Sequence, residues 1–366
     1  MNNIRKIGLT ALAGSLMTLG SAVAGEMSVS GGINTTLKFG KPGSSTQGNT
    51  TGRSIGTDKD VTFSGGGELD NGTTFSMSTT LYDNYEMSGS TTTITTPSLG
   101  SFQLGASTGS ASGKYDEEVP QAYEQVSDAK ATMANQVGNY MDNNHIMYTP
   151  PALELMGAGI QAHLGYTPQA ADTAVGDGGQ QAYSASFGAG YEAGVTITYE
   201  GLKLGVYGSE RENTTPNAST GQQISDEFNG AWYINYSFGP VSIGYTESYM
   251  DAGVTQALSS ETTTASKAER TAGGLFEGEQ MSIAFNVNDN MSISYTTSDE
   301  TYDTQDDAKT AVTTDDDITE TIDAIQIAYS MGGMSIKAYN MEVSNPDQDD
   351  DAADQSITEI ALGFAF

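Results

Sequence analysis

Cysteine is absent from all 366 residues, which excludes thiolate metal sites, thiol nucleophiles and a disulfide frame. Basic residues are scarce: 14 lysines and arginines stand against 46 aspartates and glutamates, a formal charge of −32. Nucleic acid needs a basic face for its phosphates, so it is excluded as a partner. Only 16% of the chain is charged, too little for a highly charged disordered polymer. Long apolar runs are missing beyond residue 24, where nothing approaches the about 18 residues of a helical membrane span. A β-barrel is then the only way this chain could cross a bilayer. Catalytic signatures are missing too, with no His-Glu-x-x-His, nucleophile elbow or phosphate loop. The expectation is a protein that is not an enzyme. Glycine-rich 201–208 reads as strand and turn rather than as a nucleotide site. What the chain does have is 44 glycines and 19 tyrosines. With its serine, threonine and asparagine, that composition favours sheets and turns.

The first 24 residues have the layout of a secretory signal peptide. Arg5 and Lys6 precede a short apolar run, Ile7–Leu19, and Ala22-Val23-Ala24 offers small side chains at the positions a signal peptidase reads. The run is too short to span hydrocarbon. Cleavage after Ala24 is expected, leaving one domain over 25–366.

That domain alternates with a period of two. Met27, Val29, Ile33, Leu37 and Phe39 share one side, while Ser28, Ser30, Asn34, Thr36 and Lys38 share the other. Continuing along the chain predicts an all-β fold of sixteen strands. They fall near 27–39, 60–69, 73–82, 91–96, 101–107, 144–149, 158–167, 183–199, 202–209, 228–238, 241–249, 274–287, 291–298, 321–329, 334–342 and 355–366. Short turns at 70–72, 97–100, 150–157, 200–201, 239–240, 288–290 and 330–333 alternate with longer polar connections. In an antiparallel meander this sorts long loops to one end and short turns to the other, the habit of outer-membrane barrels. Most acidic residues fall in the long connections, so the wall itself is expected to be close to neutral. Tyr148, Tyr166, Tyr199, Trp232, Tyr236, Phe238 and Tyr295 fall on the lipid-facing parity, where they would form headgroup-level girdles.

Three patches carry a family resemblance. Gly25-Glu26-Met27-Ser28-Val29-Ser30-Gly31 is similar to the first mature strand of the trimeric general porins of Gram-negative proteobacteria. Asn144-His145-Ile146-Met147-Tyr148, followed by Pro151 and the strand 159–166, resembles their sixth and seventh strands. The closing Ile360–Phe366, with Phe364 and terminal Phe366, looks like the assembly signal of outer-membrane proteins. The resemblance implies a homotrimer of sixteen-stranded barrels in the outer membrane, contacting lipid, lipopolysaccharide and the assembly machinery. It also implies that the third long loop, 108–143, folds into the pore as a constriction bearing Asp116, Glu117, Glu118, Glu124 and Asp128. Glu118–Ala134 has helix-compatible composition after Pro120.

One departure from the family is that Met147 stands where an arginine is often found. By parity Lys38, Lys203 and Lys337 should face the lumen, with Arg53 and Lys59 hanging from the first loop. Inward Asp60, Glu68, Glu192, Glu200 and Glu359 outnumber those lysines. An acidic, narrowed lumen raises the local cation concentration. The expected function is passive diffusion of small hydrophilic solutes and ions, with cations preferred. The alternative is a non-conducting structural or adhesive barrel. His145 and His163, the only histidines, also face the lumen; a hairpin centred near 154 would set them opposite each other, able to share a metal or a proton. The bland reading of two polar lumen residues is favoured, and no metal or cofactor site is expected. Weak calcium or magnesium binding is an option for the acidic runs around 299–307, 315–317 and 347–351.

Overall fold

A computed structural model describes residues 26–41, 52–82, 87–106, 110–129, 141, 144–170, 187–214, 225–251, 253, 275–303, 317–346, 348 and 352–365. The expected signal peptide and Phe366 lie outside the described residues. The first strands are β1 (Glu26–Lys41), β2 (Gly52–Glu68), β3 (Thr74–Leu81), β4 (Met87–Thr96), β5 (Gly100–Ala106), β6 (His145–Thr149), β7 (Leu153–Leu155) and β8 (Ala158–Thr167). Next come β9 (Phe187–Tyr199), β10 (Leu202–Asn213), β11 (Glu227–Phe238), β12 (Val241–Asp251) and β13 (Leu275–Asn288). The sheet ends with β14 (Met291–Asp303), β15 (Ile318–Met331), β16 (Met334–Ser344) and β17 (Gln355–Ala365). Successive strands pair antiparallel, except that β6 and β7 both pair with β8, and β1 pairs with β17, so the sheet closes.

The seventeen segments form sixteen staves, because β6 and β7 both pair with β8 and are two pieces of one stave. Pro150-Pro151 interrupts it, since proline brings no N–H to a ladder. The barrel is therefore the sixteen-stranded, all-β antiparallel architecture that the alternation predicts.

Two differences from the sequence reading have local causes. The hairpin at β7–β8 turns at Met156-Gly157, both with positive φ (53° and 87°), the requirement of a two-residue turn that matches strand twist. The prolines at 150 and 151 mark a break in the stave and not the turn. Strands also run further outward than the alternation suggests. β2 begins at Gly52, which places Arg53 and Lys59 in the ladder opposite Phe39 and Ile33 and not in a loop. Lys59 shares the outward face of Ile33, and the Arg53 side chain is outside the described set. The outer wall is also not neutral, and most of its acids lie inside the predicted strands. Glu210, Glu247, Glu277, Glu279, Asp299, Asp323 and Glu342 occupy outward positions on β10 and β12–β16.

The outward face is otherwise apolar. Val206, Ile234, Ile283, Ile293, Ile327, Ile336 and Leu362 are exposed on it, as a lipid-facing surface requires. All seven predicted girdle aromatics point outward, and Tyr148 stacks on Phe102 at 4.7 Å. Trp232 Nε1 and the Tyr245 hydroxyl both donate to Glu247, at 2.8 and 2.6 Å. These rings keep a polar tip satisfied, as interfacial aromatics do.

Candidate functional site

Of the connection between β5 and β6, residues 110–129, 141 and 144 are described, and the stretch 110–129 lies inside the barrel. It holds a 3-10 turn at Ser112–Lys114 and one α-helical turn, α1 (Val126–Ala129). That helix is shorter than the composition of 118–134 suggests over the residues described. An inward segment in water-filled space needs anchors for its backbone, and each anchor comes from the inner face of a successive stave.

The anchoring begins at Glu192 of β9. Its carboxylate accepts from Ala111 N–H at 2.8 Å, from the Tyr207 hydroxyl at 2.7 Å and from His145 Nε2 at 2.7 Å. Both the histidine and glutamate side chains are fully buried. One step along, Tyr115 inserts between wall rings, stacked on Tyr207 at 5.2 Å with its hydroxyl 3.1 Å from His163 Nδ1. Ala111, Tyr115, Met147, Tyr207, Ala231 and Tyr233 form one apolar cluster around it. Burial pushes the Tyr115 phenol up to about 12.

The segment then crosses β10–β14. Lys203 Nζ donates to Glu118 Oε2 at 2.6 Å, and Asn235 donates to the Glu118 carbonyl at 2.7 Å. Glu117 turns to the wall, where Gln280 Nε2 donates to it at 2.6 Å and the Ser127 hydroxyl also bonds it. The Ser282 hydroxyl donates to the Pro120 carbonyl, and Ala122 N–H donates to Ser294 Oγ at 2.9 Å. A second apolar foot follows. Tyr123 and Val126 pack on Ile322, Ala324, Tyr339, Met341, Val343 and Ala361, inward residues of β15–β17. Gln326 brackets this foot, accepting from Tyr123 N–H at 2.8 Å and donating to the Glu124 carbonyl at 2.7 Å. The Tyr123 hydroxyl donates to Glu359 Oε1 at 2.8 Å, and Lys337 Nζ lies 5.0 Å from the centre of its ring. Burial raises the Tyr123 phenol as well.

Among the described residues, the loop's bonds therefore run from β8 to β17, with Asn34 of β1 against the Tyr123 hydroxyl. The inner face of β1–β5 is different. Ser30, Thr36, Thr62, Ser64, Ser78, Thr80, Thr91, Thr93, Thr95 and Ser101 point inward and remain half-exposed. Several pair hydroxyl to hydroxyl, as Thr62 does with Thr80 at 2.8 Å.

The sequence-predicted residues sort as follows. Lys38 stands level with Glu359 on inward positions, Lys203 and Lys337 face inward, and Asp60 is inward and half-exposed. Glu68 keeps inward parity at the turn end of β2, exposed at the rim. Glu200 is a turn residue with φ of 51° and not a lumen residue. Of the five loop acids, Asp116, Glu118 and Glu124 are half-buried, Glu117 is buried against the wall, and the Asp128 side chain lies outside the described set. His145 and His163 are both inward and buried but are not opposite each other. With Ile146 level with Tyr166, His145 sits level with Thr167, and the two rings bond different partners. The Met156-Gly157 turn is the cause. Among the described residues, no group of three or more His, Asp or Glu side chains gathers as a metal set. Most of the acidic runs at 299–307, 315–317 and 347–351 lie outside the described residues; Asp299 faces outward and accepts from Thr321 at 2.6 Å.

Residues 8–268 match the family model described as Gram-negative porin. No curated protein matches in sequence. Solved structures do match in fold. An anion-selective porin from Comamonas acidovorans superposes with a TM-score of 0.64 at 12% identity, over 93% of this chain and 100% of that one. OmpT, an outer membrane protein of Vibrio cholerae in trimer form, gives 0.59 at 13% identity, over 94% and 100%. A variant of the Rh. blastica porin gives 0.55 at 12% identity, over 93% and 100%.

Proposed function

The chain belongs to the Gram-negative porin family, an outer-membrane β-barrel channel, and on that footing we propose a water-filled pore that passes small hydrophilic solutes and prefers cations. The loop is its constriction, and solutes move between the loop and the inner face of β1–β5. The observation that carries the sign of selectivity is the charge along that passage. Asp116, Glu118 and Glu124 are half-buried on the loop, the last two already beside Lys203 and Lys337, while Asp58 and Asp60 occupy inward positions of β2. The inward lysines stand beside carboxylates: Lys38 level with Glu359, Lys203 on Glu118, and Lys337 within electrostatic reach of Glu124. Their charge is offset locally, so the field of the passage is negative and enriches cations. The hydroxyl-rich face opposite the loop offers neutral polar solutes a wettable wall.

Sharing a fold with an anion-selective porin does not weigh against this, because lumen side chains tune selectivity on a common barrel. The experiment is a reversal potential across a salt gradient in a planar bilayer. Cation preference is expected. Anion preference would overturn the sign, and a silent protein would overturn the channel. The same proposal includes a homotrimer, supported by the trimer form of the Vibrio cholerae relative, and reading of the last strand by the assembly machinery through Phe364 and Phe366. Weak calcium or magnesium binding by the outer acidic runs, bridging to lipopolysaccharide, completes it. Melting unchanged by a chelator would remove that last part.

A further inference from the structure

We propose that Gly190, Gly194 and Gly244, inward-facing glycines of β9 and β12, are the seat of the constriction loop and thereby set the bore of the passage on its other side. The proposal rests on the reading of this chain as a conducting porin. A glycine inside a strand weakens it and marks a place where something approaches closely. Here the approaching group is the loop at its beginning, middle and end. A side-chain carbon added to Gly194 would land in the Tyr115 ring. One added to Gly244 would meet Pro120 Cδ and lie 3.2 Å from Val119 Cα, besides meeting Asn235 Oδ1 of β11, itself a side chain bonded to the loop, and one at Gly190 would lie 2.7 Å from the Met141 sulfur. None of the three has positive φ, so the backbone would accept a side chain and only the space is taken.

The neighbouring inward positions on β9 carry side chains that reach toward the loop. Glu192 bonds Ala111, and Thr196 donates to the Tyr115 hydroxyl at 3.5 Å. Gly205 of β10 gives its space to the Tyr233 ring, which lies 6.1 Å from Tyr115. Glycines on the inner face of β1 and β2 behave otherwise: Gly32, Gly56 and Gly66 meet only atoms of neighbouring strands. The space left by side chains missing at Gly190, Gly194 and Gly244 is thus used by the loop. Because packed groups cannot overlap, filling a seat displaces the loop toward β1–β5, and the passage narrows.

Single-channel conductance tests this. In Gly194→Val and in Gly244→Val, with folding verified by heat-modifiable mobility in detergent, conductance is expected to fall roughly twofold or more. Adding Tyr115→Ala to Gly194→Val removes the ring that contests the space, and conductance should return toward the parent value. A folded Gly194→Val barrel with unchanged or raised conductance would overturn the proposal, as would a double variant no closer to the parent. Should valine prevent folding, Gly194→Ala with the size limit for neutral sugars in liposome swelling gives the same comparison. A parent protein that does not conduct would sink the channel reading itself, whereas a conducting parent indifferent to Gly194→Val sinks the seat alone.

Discussion

The two sides of the barrel interior are built to different rules. From β8 to β17 the inner face is largely buried: glycines, tyrosine rings and polar groups, several of which find partners in the loop. From β1 to β5 it is a half-exposed array of serine and threonine. Both faces are small and polar in composition, so the difference lies in what each side chain meets. A face that holds a loop must match its shape and satisfy its backbone. A face that borders water needs only to be wettable and of the right charge. The same substitution should therefore act on stability at one side and on permeation at the other.

The largest effect is expected at Glu192. Glu192→Ala leaves the His145, Tyr207 and Ala111 donors without their common acceptor, a loss on the order of 3–5 kcal/mol for a buried pair broken on one side. Denaturant melting of the purified barrel should show it, together with noisier channel openings. Asp60→Ala, on the half-exposed face, should change stability by no more than about 1 kcal/mol while shifting the reversal potential toward anions. Equal destabilisation by the two would break the distinction.

Next in size, Thr62→Arg with Ser64→Arg puts two fixed charges on the open face. Cation-to-anion permeability should change on the order of tenfold, toward anions, with the barrel still folded. An arginine at buried Ser209 of β10 should instead compromise folding. A smaller effect concerns alkaline pH. The Tyr115 phenol is raised above its ordinary value of 10, to about 12, so its neutral form favours the seated loop. That contribution is complete below pH 10 and is lost as pH rises through about 12. Phenolate absorbance should show a late-titrating tyrosine that Tyr115→Phe removes, and alkaline destabilisation should be milder in that variant. The smallest effect is Thr62→Val, which deletes one hydroxyl pair on the wet face. A loss of about 0.5–1 kcal/mol and an unaltered sign of selectivity are expected from melting and reversal potentials.

The alternation of Met27 through Phe39 and its successors made the barrel legible, because a wall with lipid on one side and water on the other enforces a period of two. Turn chemistry was legible where an Asn-Gly or Gly-Pro stood alone, as at 70–72 and 239–240. It was coarse at 150–157, where the whole stretch reads as one turn centred near 154 while the chain turns at Met156-Gly157, and the histidine pairing was lost with the register. The acidic composition of 116–128 did not by itself separate an inward loop from an external one, and which way each carboxylate turns was not written in its type. Glu117 differs from Glu118 only by which way a short, irregular backbone turns. Tyr115 and Tyr123, the two apolar feet, carry no periodic signal because they sit outside any strand. Gly194 and Gly244 look like every other strand glycine until the ring and the proline that occupy their space are known.

One feature bears on the order in which the molecule is made. Asn34 aside, the wall partners named above lie later in the chain than the loop itself, and the Tyr123 hydroxyl reaches Glu359 across 236 positions. β17, which supplies Glu359, is also the strand that joins β1. Contacts so distant in sequence form late. The final strand to emerge therefore completes two things at once, the ring and the resting place of the loop, so that a nascent chain ending before β17 would have neither a closed wall nor the last anchor of the loop.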